Sequence, residues 1–387
     1  MASSPLSIRA AESADLPAVL DVRARSFGPL PAGSRSGWDH LQQRTIDQRR
    51  ALVATSAGRV VAYARINAMQ QLWGGRPLPM AGVAGVVVAP EHRGRGVGTT
   101  LLSAVLERAV ALGDCVSALY PATLPVYRRL GWEWGGVQHR VSVDTELLRR
   151  LGGSDVHVRR AGPGDEDAML AATAAVHAGT RSSGPLVHSS AETREELEDA
   201  SVFGYVAGDG MCLFGWLGDD LLVHELTAGS ESTMRALWSV IGSGSSVAGT
   251  VHAYQSPRDP VHLLLGAQAR AEVRQTRWML RVLDLPAAVA GRGFPPGLDV
   301  EVPLVVHDPL ASRCSGSWLL GVSGGRGTVA RTAADGLQVG PHGLAAMFAG
   351  NPVAALRMGG VASHGRPEHD ALLDSAFAAE PYLLDYF

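Results

Sequence analysis

Residues 81–109, AGVAGVVVAPEHRGRGVGTTLLSAVLERA, decide how this chain is read. An unbroken apolar run through Val83, Ala84, Val86, Val87 and Val88 stops at Pro90 and passes into alternating Arg and Gly. Apolar residues at helical spacing follow: Leu101, Leu102, Val105, Leu106, Ala109 and Leu112. A buried strand, a glycine-rich turn and a helix N-terminus together make an anion site. Unpaired backbone N–H groups and the positive end of the helix dipole converge there. Arg93, Gly94, Arg95, Gly96, Val97 and Gly98 supply the turn, where glycine admits a ligand close to the backbone and arginine adds charge. A pyrophosphate is the expected occupant. No Gly-Lys-Ser/Thr follows, which excludes a Walker loop, and the glycine spacing does not fit a dinucleotide fingerprint.

Working outward, the 387 residues exceed the size at which one core keeps growing, so two or three domains are expected. Hydrophobic residues at 46% against 18% charged give ample core material. A net charge of −3 requires no basic face and argues against nucleic-acid binding. Cys115, Cys212 and Cys314 lie far apart with no Cys/His spacing, so neither a disulfide framework nor a metal site is expected. The N-terminus lacks the pattern of a signal peptide, and no apolar run reaches membrane-spanning length. A soluble, cytoplasmic protein is the expectation.

The chain carries an internal echo. Residues 8–19 (IRAAESADLPAV) align with residues 158–169 (VRRAGPGDEDAM), each a short strand, a loop and an acidic residue opening a helix. The order that follows is also similar: a hairpin over residues 202–207 and 211–217, an apolar strand over 221–226 and a helix over 232–241. Where the first copy has HRGRGVG, the second has ELTAGSESTMRAL, so it keeps the scaffold without the phosphate turn. Residues 291–297 (GRGFPPG) read as a linker. Beyond it Leu298, Val300, Val302, Leu304 and Val306 alternate as a half-buried strand. A hairpin around GGRG, a short strand at 337–339 and a helix at 342–348 complete an α+β unit of about 90 to 100 residues.

The strand–loop–helix resembles the acetyl-CoA site of the GNAT N-acetyltransferase superfamily, whose Arg/Gln-x-x-Gly-x-Gly/Ala signature Arg93, Gly96 and Gly98 match. Tyr127, Gly131 and Trp132 fit that superfamily's Tyr-x-x-x-Gly-Phe/Trp element. A GNAT domain, a degenerate GNAT copy and a sterol-carrier-like C-terminal domain resemble the Eis (enhanced intracellular survival) acetyltransferases over nearly the full length. The expected fold is therefore α/β (α+β): tandem GNAT folds over residues 1–150 and 155–290, the second degenerate, and a sterol-carrier-like domain over 291–387. The resemblance implies acetyl-CoA as acyl donor. It would be held by the Val86, Val87 and Val88 backbone, the Arg93–Gly98 turn with Thr99, and Ala122 and Thr123. It further implies aminoglycoside-type amine substrates and a hexameric homo-oligomer.

Two groups are expected to move protons. The Tyr127 phenol, with a reference pKa near 10, would donate to the departing thiolate. The C-terminus, EPYLLDYF, is too apolar for a frayed tail and is expected to dock, which by resemblance makes the terminal carboxylate of Phe387 the general base. No serine, cysteine or metal nucleophile is required. Trp38 and Asp385 are expected to line the substrate pocket. Residues 26–28 (SFG) offer no carboxylate for a polycation, leaving Asp39 and Asp385 as the nearest acids. Trp73, Trp216 and Trp238 read as core, and His177, His188, His224 and Glu225 as structural. Two alternatives stay open: a GNAT acting on a protein lysine, peptide or natural-product amine, and a non-catalytic protein holding an apolar ligand.

Overall fold

The structure, a computed structural model, describes residues 5–152, 155–266 and 272–387. The first unit contains β1 (Leu6–Ala10), α1 (Leu16–Phe27), α2 (Arg35–Asp47), β2 (Ala51–Ser56), β3 (Arg59–Trp73), β4 (Arg76–Val88), α3 (Val97–Ala111), β5 (Val116–Leu119), α4 (Leu124–Arg129), β6 (Glu133–Asp144) and α5 (Thr145–Arg149). The second contains β7 (Val158–Arg160), α6 (Glu166–Thr180), α7 (Ser190–Glu198), β8 (Val202–Ala207), β9 (Gly210–Leu217), β10 (Asp220–Ala228), α8 (Glu231–Gly242), β11 (Thr250–Tyr254), α9 (Val261–Leu265) and β12 (Glu272–Val282). In the third are α10 (Leu285–Gly291), β13 (Val300–Val306), β14 (Gly316–Ser323), β15 (Arg326–Arg331), β16 (Leu337–Val339), α11 (Pro341–Phe348), α12 (Val353–Met358), β17 (Ala362–Ser363), α13 (Pro367–Phe377) and β18 (Tyr382–Leu383).

One 13-stranded sheet joins the first two units, in the order β1-β2-β3-β4-β5-β12-β6-β11-β10-β9-β8-β7, with β18 beside β6. Strand β12, the last of the second unit, inserts between β5 and β6 of the first, Met279 facing both Leu119 and Trp134. The sheet thus runs unbroken across the boundary expected near residue 150. A second, five-stranded sheet, β15-β14-β13-β16-β17, belongs to the third unit.

The echo in the sequence is a repeat in space. Arg9 forks onto Asp15 at 2.7 Å through both nitrogens, and Arg159 onto Asp165 at 2.9 and 2.6 Å. Each aspartate also accepts a backbone N–H three residues before it, from Glu12 and from Gly162. A bidentate arginine–carboxylate pair thereby fixes strand, loop and helix at the same angle in both copies. The β3–β4 and β9–β10 hairpins each carry a bulge, opposite Tyr63/Arg65 and at Val223/Glu225.

Two expectations need correction. Residues 291–297 are a packed strap rather than a linker. Arg292 is 1% exposed and donates to the carbonyls of Phe348 and Phe377 among the rings of Trp73, Phe294, Phe348 and Phe377. Strand β13 is buried on both faces from Val302 onward, with Val302, Leu304 and Val306 in one core cluster with Leu344, Leu373 and Phe377 of the helices. Trp73 and Trp238 are core as expected, while Trp216 is half exposed on β9.

Candidate functional site

The site begins where β4 and β5 part. Registered pairing between them covers only Met80, Ala81 and Gly82 with Val116, Ser117 and Ala118. Strand β4 continues to Val88 held by β3 alone, with Val88 facing Ala62. A wedge opens, and along it the Val86–Val88 backbone has no partner strand on the β5 side. The Val87 side chain is buried with Val19 and Tyr63, so only its backbone can face a ligand.

At the wide end of the wedge the chain turns into α3. Gly94 and Gly96 have φ of +73° and +81°, a region that disfavours side chains, and no atom lies within 4 Å of where either Cβ would stand. Thr100 makes the first helical bond, to the Gly96 carbonyl, so the amides of Val97, Gly98 and Thr99 precede the helical ladder. Arg93 braces the turn, donating to the Val88 carbonyl at 3.0 Å and to Ser26 Oγ at 3.1 Å. Gly94, Arg95 and Gly96 are exposed. The loop is an open cradle of donors that could hold an anion. Ala122 and the α4 N-cap Thr123, whose side chain caps nothing, are exposed between β5 and α4.

Tyr127 on α4 is buried against Trp132, ring centroids 6.0 Å apart and nearly perpendicular. Burial pushes its hydroxyl up to about 12, which keeps it protonated and a donor at neutral pH.

The C-terminal tail is docked. Strand β18 pairs in parallel with β6, Tyr382 opposite Val137, on the edge that β11 leaves free beyond Arg140. Gly184 fits flush beneath it, since a Cβ there would collide with the Tyr382 carbonyl. Gln138 donates to the Leu384 carbonyl at 2.9 Å, and the Tyr120 hydroxyl to the Asp385 carbonyl at 2.7 Å. Tyr120 stacks on Tyr386 at 4.3 Å and meets Phe387 edge-on at 5.6 Å. The Phe387 ring reaches β4 itself, 3.2 Å from where a Cβ of Gly82 would stand, at the point where β4 and β5 part. Tyr127 belongs to the core cluster under α3, whereas Phe387 packs with the cluster shared with the third unit. The two expected proton carriers thus belong to different clusters.

Sequence reasoning missed the acids around this tail. Asp385 Oδ1 lies 3.4 Å from His188 Nε2, and Glu192, Glu196 and Glu225 add their fields to the same group. The hydrogen bond that His188 donates to Asp385 raises the histidine pKa to about 9, while burial pushes Glu225 up to about 7 and also raises Glu196. These acids stand on α7 and β10, which the sequence separates from the tail by about half the chain, so no spacing announced them. They correct the expectation that Asp39 and Asp385 are the nearest carboxylates. Asp39 instead pairs with Arg35 on the solvent-facing first turns of α2.

Trp38, on α2, lines a cavity of about 270 Å³ that reaches Tyr63 and Arg65 on β3 and Gly85 on β4. A larger one of about 600 Å³ lies between the second and third units behind the tail, lined in part by His177, Asp259 and Tyr382. Among the described residues no cluster of His, Cys, Asp or Glu could hold a metal, and no helix is long and apolar enough to cross a membrane.

Comparison with known proteins bears on this arrangement. Residues 7–135 and 187–282 match models of the acetyltransferase (GNAT) domain, and residues 285–384 match the sterol carrier protein domain. The chain is 49% identical to a GCN5-related N-acetyltransferase from Kribbella flavida, whose crystal structure superposes with a TM-score of 0.96 over 99% of each chain. It is 28% identical over 368 residues to an uncharacterized N-acetyltransferase of Streptomyces griseus, covering 85% of this chain and 87% of that one. It is 29% identical over 255 residues to the N-acetyltransferase Eis of Mycobacterium tuberculosis, covering 56% of this chain and 58% of that one.

Proposed function

Because the chain belongs to the GCN5-related N-acetyltransferases, and joins two GNAT domains to a sterol-carrier domain as an Eis-like homologue, we propose that it acetylates a small-molecule amine from acetyl-CoA. The single observation that carries this reading is the docked tail, which brings Phe387 against Gly82 at the parting of β4 and β5.

In this reading the 93–98 turn with Thr99 binds the pyrophosphate, Val86–Val88 hold the pantetheine arm by backbone bonds, and Ala122 and Thr123 line the opposite wall. A backbone N–H of β4 polarises the thioester carbonyl. The Phe387 carboxylate takes a proton from the substrate ammonium, directly or through one water, and the neutral amine attacks the carbonyl carbon. As the C–S bond breaks, Tyr127 gives its proton to the thiolate sulfur; the nitrogen gives up its second proton to solvent, which reprotonates Tyr127 and takes the proton held by the Phe387 carboxyl. The step asks for no metal, since a positioned neutral amine attacks a thioester directly. The carboxylates of Glu192, Glu196, Glu225 and Asp385 favour an acceptor that arrives as a cation, which supports an aminoglycoside-type polyamine as one candidate class. Residues 1–150, 155–284 and 285–387 are the working divisions, the last beginning at α10 rather than at 291, and the enzyme acts in the cytoplasm as a homo-oligomer, a hexamer by family resemblance.

The test is release of free CoA thiol from acetyl-CoA with a panel of aminoglycosides, polyamines, lysine peptides and arylamines. Turnover with a small-molecule amine is expected, and Tyr127→Phe should lower kcat by about 100-fold or more while the acetyl-CoA KM moves little. Turnover with lysine peptides alone, or equal losses in both constants for Tyr127→Phe, would contradict the reading.

A further inference from the structure

The cavity beside Trp38 has a chemistry of its own. Its walls are mostly apolar, from Val19, Phe27, Trp38 and Leu41, yet three groups facing it are hydrogen-bond donors: Arg23, Arg65 and Gln42. Gln42 is fully buried; its Oε1 accepts from the Tyr63 hydroxyl at 2.5 Å, and its Nε2 has no partner. Arg65 bonds to the neutral Asn67 Oδ1 at 3.1 Å and Arg23 to the Gly28 carbonyl at 2.7 Å. Among the described residues neither arginine takes part in a salt bridge, whereas Arg25 on α1 and Arg35 on α2 are paired with Asp21 and Asp39. Burial lowers the Arg65 pKa, the sign of a guanidinium that has lost water without gaining a counter-charge. Each guanidinium offers five donors, so most of this capacity is unspent. Gly85, at the β4 bulge with φ +61°, lines the cavity, and a Cβ there would stand 3.3 Å from Arg65 Nη1.

This cavity and the tail share one face of the β3–β4 ribbon. Arg65 is registered with Ala84, Asn67 with Gly82 and Met69 with Met80, alternate residues that point the same way. Met69 and the Phe387 ring both close on Gly82. At about 3.4 Å per residue, the step from Gly82 to Arg65's partner Ala84 is about 7 Å. The acids Glu192, Glu196, Glu225 and Asp385 gather on the tail side, the unpaired arginines on the other.

We infer that the cavity formed by Arg23, Trp38, Gln42, Arg65 and Gly85 is an acceptor subsite for a carboxylate on a short apolar arm, so that the preferred acceptor is a zwitterionic amino acid with its amine at the Phe387 end. The inference rests on the amine-acetylation reading above. Planar carboxylate matches the guanidinium fork, and an arriving carboxylate satisfies donors that are otherwise left desolvated. A polycation gains nothing from this cavity.

The experiment uses the full chain with glycine, 4-aminobutanoate, 6-aminohexanoate and 8-aminooctanoate, each beside the alkylamine and the α,ω-diamine of matching length. The kcat/KM is expected to peak at 6-aminohexanoate, whose ends lie about 7 Å apart, and there to exceed the diamine by about tenfold or more. In Arg65→Met, and independently in Arg23→Met, that ratio should fall toward one. Calorimetric binding of 6-aminohexanoate in the presence of CoA gives a second readout that needs no turnover, and it should weaken about tenfold in the same variants. Diamines or aminoglycosides outrunning every amino acid, or binding equal in wild type and both variants, would overturn the subsite while leaving amine acetylation intact. Absence of turnover with every amine, together with Arg65-dependent binding of 6-aminohexanoate, would instead sink the acetylation reading and keep the subsite.

Discussion

Glu225 stands on β10 under His188 and Asp385, with Glu196 across from it and the Thr173 hydroxyl donating to it. Burial pushes its carboxyl up to about 7, whereas the hydrogen bond donated to Asp385 holds His188 charged to about 9. Between about pH 6 and about pH 8, then, Glu225 loses its proton while His188 keeps its own, and the tail side of the site gains a negative charge. The KM for a cationic acceptor should fall across that range, and Glu225→Gln should flatten the change; a slope unaltered in the variant would remove Glu225 from the acceptor's field. Nothing in the sequence around Glu225 marked it, and a structural role was the natural reading. Its environment is made by α6, α7 and the tail, which meet only after folding. Tyr127 and Gly96 were legible because their partners lie within a few residues of them in the chain.

The same contrast holds for elements. Strand β4, the Arg/Gly turn and α3 could be read directly, since an apolar run, positive-φ glycines and a 3.6-residue period are all local signals. Gly96 caps α3 at φ +81°, where a Cβ costs about 1–2 kcal/mol. Gly96→Ala is therefore expected to raise the acetyl-CoA KM about tenfold with kcat at saturation close to wild type. An unchanged KM would mean that the turn does not hold the donor. The insertion of β12 between β5 and β6 was not legible. The alternation of a strand fixes which face is buried and says nothing about which edge it will meet. For the same reason GRGFPPG read as a linker: its glycines and prolines advertise a turn, while the aromatic shell around Arg292 comes from residues up to 219 positions away, Trp73 among them.

At the scale of the whole molecule, the third unit has to be held firmly, because it ends in the residue that reaches the wedge. Arg281 on β12 and Asp308 after β13 form a fully buried pair, bonded through both nitrogens at 2.5 and 2.8 Å, and Asp308 also accepts the amides of Leu310 and Ala311. Breaking one side of such a pair leaves an uncompensated buried charge and costs about 3–5 kcal/mol. Asp308→Ala should lower stability by about that amount in denaturant titration, and activity should fall with it. A change under about 1 kcal/mol would show that the third unit is fixed mainly by its apolar contacts, Trp73, Trp278, Phe348 and Phe377 among them. The duplication of the first two units was legible from the echo of Arg9 and Asp15 in Arg159 and Asp165, since the repeated pair does the same work in both copies.

The account turns on the terminal carboxylate of Phe387 acting as base at the parting of β4 and β5. Adding a single glycine after Phe387 keeps the ring and the β18 pairing but carries the carboxylate one residue, about 3.4 Å, out of place. The account predicts a loss in kcat of about 100-fold or more, with the melting temperature and acetyl-CoA binding unchanged. A kcat equal to that of the native chain would contradict it and leave the docked tail with a purely structural part.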